Sequence, residues 1–122
     1  MRKLLLGLWV SAGLVACGST SPVDFCSEFE TETCARIFEC YDDTMKADPG
    51  FMATFGSSAA ECATKLKANN CTSVTNDHPC PDGTVKYHAD KADACISDLK
   101  ATSCTTIQGG VFNSDNCTAV CS

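Results

Sequence analysis

The chain has 122 residues, 15 acidic against 9 basic, a formal net charge of −6 and eleven cysteines. That length fits one domain, and the acidic balance argues against a nucleic-acid partner, because such a surface repels a phosphate backbone and anionic headgroups alike.

Met1-Arg2-Lys3 carries two positive charges, and residues 4–16 hold only apolar or small side chains, with Ser11 the single polar one. An apolar run of thirteen residues is too short to span ~30 Å of hydrocarbon as a permanent helix; it reads as the h-region of a signal peptide. Leu14-Val15-Ala16-Cys17-Gly18 then resembles the lipobox of bacterial lipoproteins. There a cysteine thiol, a nucleophile no other side chain supplies, becomes a thioether to diacylglycerol, and the amine freed by cleavage is acylated. Two or three acyl chains hold a protein stably on a bilayer, whereas one binds marginally. The expectation is a leader over 1–16 that is removed, lipidation at Cys17, a short polar tether over 17–23 and a folded domain over 24–122. The plainer alternative makes Cys17 one more disulfide partner after an ordinary cleavage.

Cysteine parity favours the lipid. The others are Cys26, Cys34, Cys40, Cys62, Cys71, Cys80, Cys95, Cys104, Cys117 and Cys121, an even ten that allows five bridges, whereas eleven cannot all pair. Removing Arg2 and Lys3 from the nine basic residues leaves seven against fifteen acidic, a formal charge of −8 with both histidines neutral. Ten cysteines in a short exported chain imply an oxidising compartment and a disulfide scaffold. At ~2–4 kcal/mol per native bridge, five bridges exceed much of the ~5–15 kcal/mol net stability of such a domain, so reduction should unfold it.

A helical pattern runs from Ser21 or Asp24 to about Tyr41. Phe25, Phe29, Ile37, Cys40 and Tyr41 share a face with Cys26 and Cys34 beside it, opposite Glu28, Glu32, Arg36 and Glu39. Glu32 and Arg36 form an i,i+4 pair in the favourable order, and Ser21-Pro22-Val23-Asp24 reads as a capping box with proline at the first helical position. Asp48-Pro49-Gly50 breaks the chain before a short apolar turn of Phe51, Met52 and Phe55, which is either core under a loop or an exposed patch. Ser58 with Glu61 starts a second long helix, closing at Asn70 and Cys71.

Residues 71–88, with two prolines and Pro81-Asp82-Gly83, read as an irregular loop with short extended pieces at 72–74 and 84–87, stapled to the helices by Cys80. Helix returns from about Ala89 to Thr102. Gln108-Gly109-Gly110 is a turn, and Ser114 to Val120 gives a last short helix carrying Cys117 and Cys121. The fold class is thus mainly α: a small disulfide-rich domain of three to four short helices. Within it, AAECATKLKANNC (59–71) aligns without gaps on ADACISDLKATSC (92–104). This suggests two similar helices, each bridged once on its core face and once where it ends; two units are too few for a solenoid.

The lipobox, FCSEFETETCARIFEC (25–40), YHADKADACISDLKATSC (87–104) and a C-terminal cysteine after a glycine-rich turn together resemble a group of small cysteine-rich predicted lipoproteins of myxobacteria and related deltaproteobacteria. The resemblance implies an exported, disulfide-held, largely helical domain and no activity. Cys80 and Cys121 stand outside that group's usual pattern.

Candidate chemistry is sparse. Asp77-His78-Pro79-Cys80 superficially resembles the His-Asp core of small disulfide-rich phospholipases, but the order is reversed and Pro79 prevents the stiff helix those enzymes need. His78, Asp82, His88 and Asp90 match no recognised metal-ligand spacing, and no cysteine pair has the two-residue gap of zinc or redox motifs. No nucleophile elbow or Ser/His/Asp set stands out. Asn70-Cys71-Thr72 and Asn116-Cys117-Thr118 match the glycosylation sequon, a chance product in a chain rich in Asn, Cys and Thr. The expectation is a membrane-anchored, non-catalytic binding or structural module of the cell envelope, without metal or cofactor, partnered by the membrane through its lipid and by an envelope protein. Gly18, in place of a retention aspartate, favours the outer membrane by resemblance. The alternatives are a carrier of a small apolar ligand or lipid, and an enzyme using the 77–90 loop.

Overall fold

The computed structural model describes residues 20–122; the expected leader, Cys17 and residues 18–19 of the tether lie outside them, while Pro22 and Val23, expected in the tether, begin the first helix. Among the described residues the chain is mainly helical: α1 (Pro22–Cys40), α2 (Asp43–Lys46), α3 (Pro49–Phe55), α4 (Ala59–Asn70), α5 (Ala89–Ala101), α6 (Cys104–Gln108) and α7 (Asp115–Thr118). The three long helices α1, α4 and α5 carry the architecture. These seven helices exceed the expected three to four because the short apolar turn expected over 51–55 belongs to α3, and because α2 and α6 are single-turn elements, too short for hydrophobic periodicity to register. Their start signals are nonetheless present, since Asp42 accepts from the Met45 N–H at 2.8 Å and Ser103 from the Thr106 N–H at 3.3 Å.

The expected caps act as such. Ser21 accepts from the Asp24 N–H, with Pro22 in the first turn of α1. At α4, Ser58 accepts from the Glu61 N–H at 3.1 Å, while the Glu61 carboxylate accepts from the Ser57 N–H at 2.9 Å and the Ser57 hydroxyl at 2.8 Å. These two bonds, with Lys65 beside them, hold the Glu61 pKa below its ordinary value. Gly56, which ends α3, is the hinge of this corner. Its φ of +82° is open to glycine alone among ordinary residues, and a Cβ there would lie 2.5 Å from Glu61 Cδ.

Helix α1 is the hub, packed against α4, α5 and α6. Cys26, Glu30 and Cys34, spaced four apart on one face, look toward α4. Cys26–Cys71 and Cys34–Cys62 clamp the two helices antiparallel. Between them Glu30 is buried and accepts from Asn70 Nδ2 at 2.7 Å. Cys40–Cys104 ties the end of α1 to the start of α6, and Cys95–Cys117 ties α5 to α7. Cys80–Cys121 completes the set, and all ten cysteines among the described residues are paired.

The internal echo has a structural counterpart. Cys62 and Cys95 are both fully buried, while Cys71 caps α4 and Cys104 opens α6 just beyond α5. The partners are not equivalent, because α4 sends both bridges to α1 whereas α5 and its continuation divide theirs between α7 and α1.

Three local expectations need correction. Cys80 staples its loop to the C-terminal segment and not to a helix: Lys86 and Ser122 exchange two backbone hydrogen bonds at 3.1 Å around a Tyr87–Cys121 antiparallel bridge. That bridge removes Cys121 from the last helix and reduces the expected extended pieces to this one contact, with residues 72 and 73 in a turn. Arg36 does not pair with Glu32. Its side chain is 13% exposed and bonds Glu39 and the Thr102 carbonyl, where the exposed carbonyls at the C-terminus of α5 attract a cation.

Two core clusters result. Cys34, Cys62 and Ala63 pack with Phe38, Phe55 and Leu66. Ala92, Cys95 and Val120 pack with Phe25, Phe29, Tyr87, Cys117 and Cys121. Phe51 is buried against Phe38, Tyr41 and Phe55, with ring centroids 5.0 to 5.5 Å apart. Of the three apolar residues of 51–55, Phe51 is therefore core and Phe55 packs partly buried against it, whereas Met52 is exposed.

Candidate functional site

Beside the cysteine stripe of α1 runs a second one, Phe29, Thr33, Ile37 and Tyr41, again four residues apart. Where it passes between the two core clusters the packing is incomplete, leaving a cleft of about 360 Å³. This is near the lower end of the ~300–1,000 Å³ typical of small-molecule sites. Phe55 from the end of α3, Leu99 from α5 and Ile107 from α6 form the facing walls. The chain reverses after α6 through Gly110, whose φ is +70°. That reversal returns Phe112 to within 6.4 Å of the Phe29 ring and closes one side of the cleft. Tyr41 is fixed in place: its hydroxyl donates to the Gln108 carbonyl at 3.4 Å, and Gln108 Nε2 donates to the Cys40 carbonyl at 2.6 Å.

Thr33 is the exception in this lining. Helical hydroxyls elsewhere in the chain donate back to the carbonyl four residues earlier, as in Thr31 to Ser27 at 2.8 Å, Thr54 to Gly50 at 2.9 Å and Thr64 to Ala60 at 3.0 Å. The Thr33 hydroxyl oxygen is buried and has no hydrogen-bond partner. A buried hydroxyl left unpaired costs roughly 1–3 kcal/mol.

Residues singled out in the 77–90 loop go to separate tasks. Asp82 accepts from both the N–H and the hydroxyl of Thr84, which lowers its pKa and closes a local turn. His88 sits beside the C-terminal segment, its Nε2 3.2 Å from the Ser122 carbonyl oxygen. His78 lines a separate hollow of about 340 Å³ with Ser73, Val74, Cys80, Pro81 and Gly83. Among the described residues no three His, Cys, Asp or Glu side chains converge as metal ligands.

The remaining polar groups belong to the scaffold. Asp98 accepts from the Ser114 hydroxyl and from Asn116 Nδ2, the latter at 2.9 Å, which holds its pKa below the ordinary value and fastens α7 to α5. Tyr87 donates to the Thr20 carbonyl at 2.9 Å. Desolvation, with the nearby charges of Asp93 and Asp24, pushes its pKa up to about 12. Both sequon asparagines are engaged as side-chain donors, Asn70 to Glu30 and Asn116 to Asp98.

Neither the cleft nor Thr33 is among the residues expected from sequence to carry function. A signal existed in the register: Thr33 is the polar residue interrupting an otherwise apolar four-residue stripe between Phe29 and Ile37. No family model, curated protein or solved structure matches the chain.

Proposed function

We propose that this protein is a lipid-anchored, non-catalytic binding or structural module of the cell envelope, attached through acyl groups on Cys17 and held at the outer membrane. The observation that carries the reading is cysteine accounting: every cysteine from Cys26 to Cys121 is taken in a bridge with another of the same ten. Cys17, the residue with the lipobox sequence before it, thus has no intramolecular thiol left to pair with. Five bridges also agree with residence in an oxidising compartment. Metabolic labelling with an alkynyl fatty acid tests the anchor. Wild-type protein incorporates the label and Cys17→Ser does not; label that persists in Cys17→Ser, or is missing from the wild type, refutes it.

A second reading, a carrier of a small apolar ligand, is favoured by the cleft along α1, whose walls are aromatic and aliphatic. Native mass spectrometry of protein purified without detergent should then retain a small bound molecule. A population carrying the polypeptide and its anchor alone speaks against it.

A further inference from the structure

Thr20, the first of the described residues, is already fixed to the fold. Its hydroxyl donates to Asp93 in α5, and its carbonyl accepts from the Tyr87 hydroxyl at 2.9 Å. Tyr87 is itself held by the backbone pairing of its neighbours with the C-terminal segment, Lys86 with Ser122 and His88 with Val120, and its ring lies 6.3 Å from that of Phe25. Ser21 then caps α1. Only Gly18 and Ser19 separate Thr20 from Cys17. At no more than ~3.6 Å per residue, an anchor on Cys17 keeps Thr20 within about 11 Å of it.

The two ends of the bundle differ. Helices α1 and α5 run parallel, since Phe25 and Tyr87 meet at their starts while Arg36 and Cys40 reach Thr102 and Cys104 beyond the end of α5. The Cys26–Cys71 bridge brings the end of α4 to the same place as those starts. The 19 residues of α1 separate this end from the α2 and α3 corner by about 28 Å. Among the described residues Arg36, Lys46, Lys65 and Lys100 each pair with a carboxylate. Lys67, Lys86 and Lys91, which form no ion pair, all belong to the tethered end: the last turn of α4, the strand-like Tyr87 bridge and the first turn of α5. Asp24, Asp90 and Asp93 are exposed at the same end, as is Val23 in the first turn of α1. A face on which lysine and aspartate alternate without excess of either is complementary to a zwitterionic headgroup layer, where phosphate answers lysine and ammonium answers aspartate.

We propose that the end of the bundle where α1 and α5 start, pinned through Thr20, rests on the zwitterionic headgroups of the bilayer that carries the anchor, with α2 and α3 farthest from it. The proposal rests on the lipid-anchored reading and adds to it the face that meets the membrane. The domain is then held in one orientation by two hydrogen bonds to Thr20 instead of swinging on a free tether.

The test uses the membrane-extracted mature protein, bridges formed and amides isotopically labelled, in nanodiscs of phosphatidylethanolamine and phosphatidylcholine with a small fraction of lipid bearing a gadolinium-chelating headgroup. Relaxation enhancement by gadolinium falls with the sixth power of distance, so amides of 23–25 and 86–93 should exceed those of 41–55 by at least about tenfold across the length of α1. Thr20→Ala combined with Tyr87→Phe removes both hydrogen bonds of Thr20 while keeping the aromatic ring, and should reduce that contrast at least about threefold as the linker gains freedom. A layer of anionic phosphatidylglycerol, which repels the net negative domain, should reduce it as well. An acylated chain whose enhancement is uniform, is greatest over 41–55, or keeps its contrast in the double variant or on the anionic layer overturns the proposal and leaves the anchor intact. A chain that carries no acyl mass and does not enter the nanodiscs overturns both.

Discussion

Replacing Thr33 by valine should make the ligand-free protein more stable. The two side chains have nearly the same shape and similar helix propensity, so the change exchanges a buried hydroxyl oxygen for a methyl with little effect on the backbone of α1. In the folded state that oxygen has lost water and found no partner, whereas in the unfolded chain it is hydrated; the difference is a cost of roughly 1–3 kcal/mol. The side chain as a whole keeps some exposure, which places the gain near the lower end, about 1 kcal/mol. With a urea dependence of ~1–3 kcal/mol/M for a domain of this size, the midpoint should rise by about 0.5 M with an unchanged slope. The assay is equilibrium urea denaturation with all bridges intact, followed by far-ultraviolet circular dichroism. A midpoint that is unchanged or lower would mean that the hydroxyl is satisfied in solution, by water or by the Phe29 carbonyl, and would refute the assigned cost.

Other perturbations test the scaffold. Gly56→Ala should cost about 2–3 kcal/mol, because φ +82°, ψ −167° lies in a region kept for glycine and the new methyl meets the Glu61 side chain; a midpoint within error of wild type contradicts this. Removing Cys34–Cys62 or Cys80–Cys121 as paired alanines releases closures of 28 and 41 residues, nearly equal in chain entropy at about 3.5–4 kcal/mol. The first pair is central to a core cluster and its loss should cost visibly more through the cavity it leaves; equal losses would show that the cluster contributes nothing beyond the covalent bond. The Asp98 carboxylate is held below its ordinary pKa of 3.8, so its contribution is full above that pH and is lost as pH falls through the depressed folded value. Acid unfolding followed from pH 6 to pH 2 should therefore be less steep in Asp98→Asn, and amide exchange in α7 should rise first; identical acid limbs in mutant and wild type would refute the assignment.

The parts of the fold that could be read from sequence are those with a repeating or chemically specific signal. The 19 residues of α1 give more than five turns of periodicity, and Ser21 and Ser58 mark helix starts by known capping chemistry. Helices α2 and α6 escaped because a single turn contains no period to detect. Bridge partners are unreadable, because many pairings satisfy the same ten positions. Yet Cys26 and Cys34 are eight apart on one helix and Cys62 and Cys71 nine apart on another, which in retrospect suits an antiparallel clamp. The same spacing would have placed Glu30 inside, between two bridged cysteines, where a single asparagine answers it. Arg36 was misplaced for the opposite reason: a pairing local in sequence seemed sufficient, while the carbonyl end of a helix 66 residues away offered more. The cleft was the least legible feature, since it depends on how three helices fail to fill the space between two clusters.

The account as a whole depends on one thiol acylated and ten oxidised, and intact mass of the membrane-extracted protein tests both at once. Before reduction the molecule should begin at Cys17, exceed the mass of residues 17–122 by two or three acyl groups with their glyceryl link, and take up no alkylating agent. After reduction it should take up ten. A mass without acyl groups, or alkylation at several sites in the absence of reductant, would contradict the account directly.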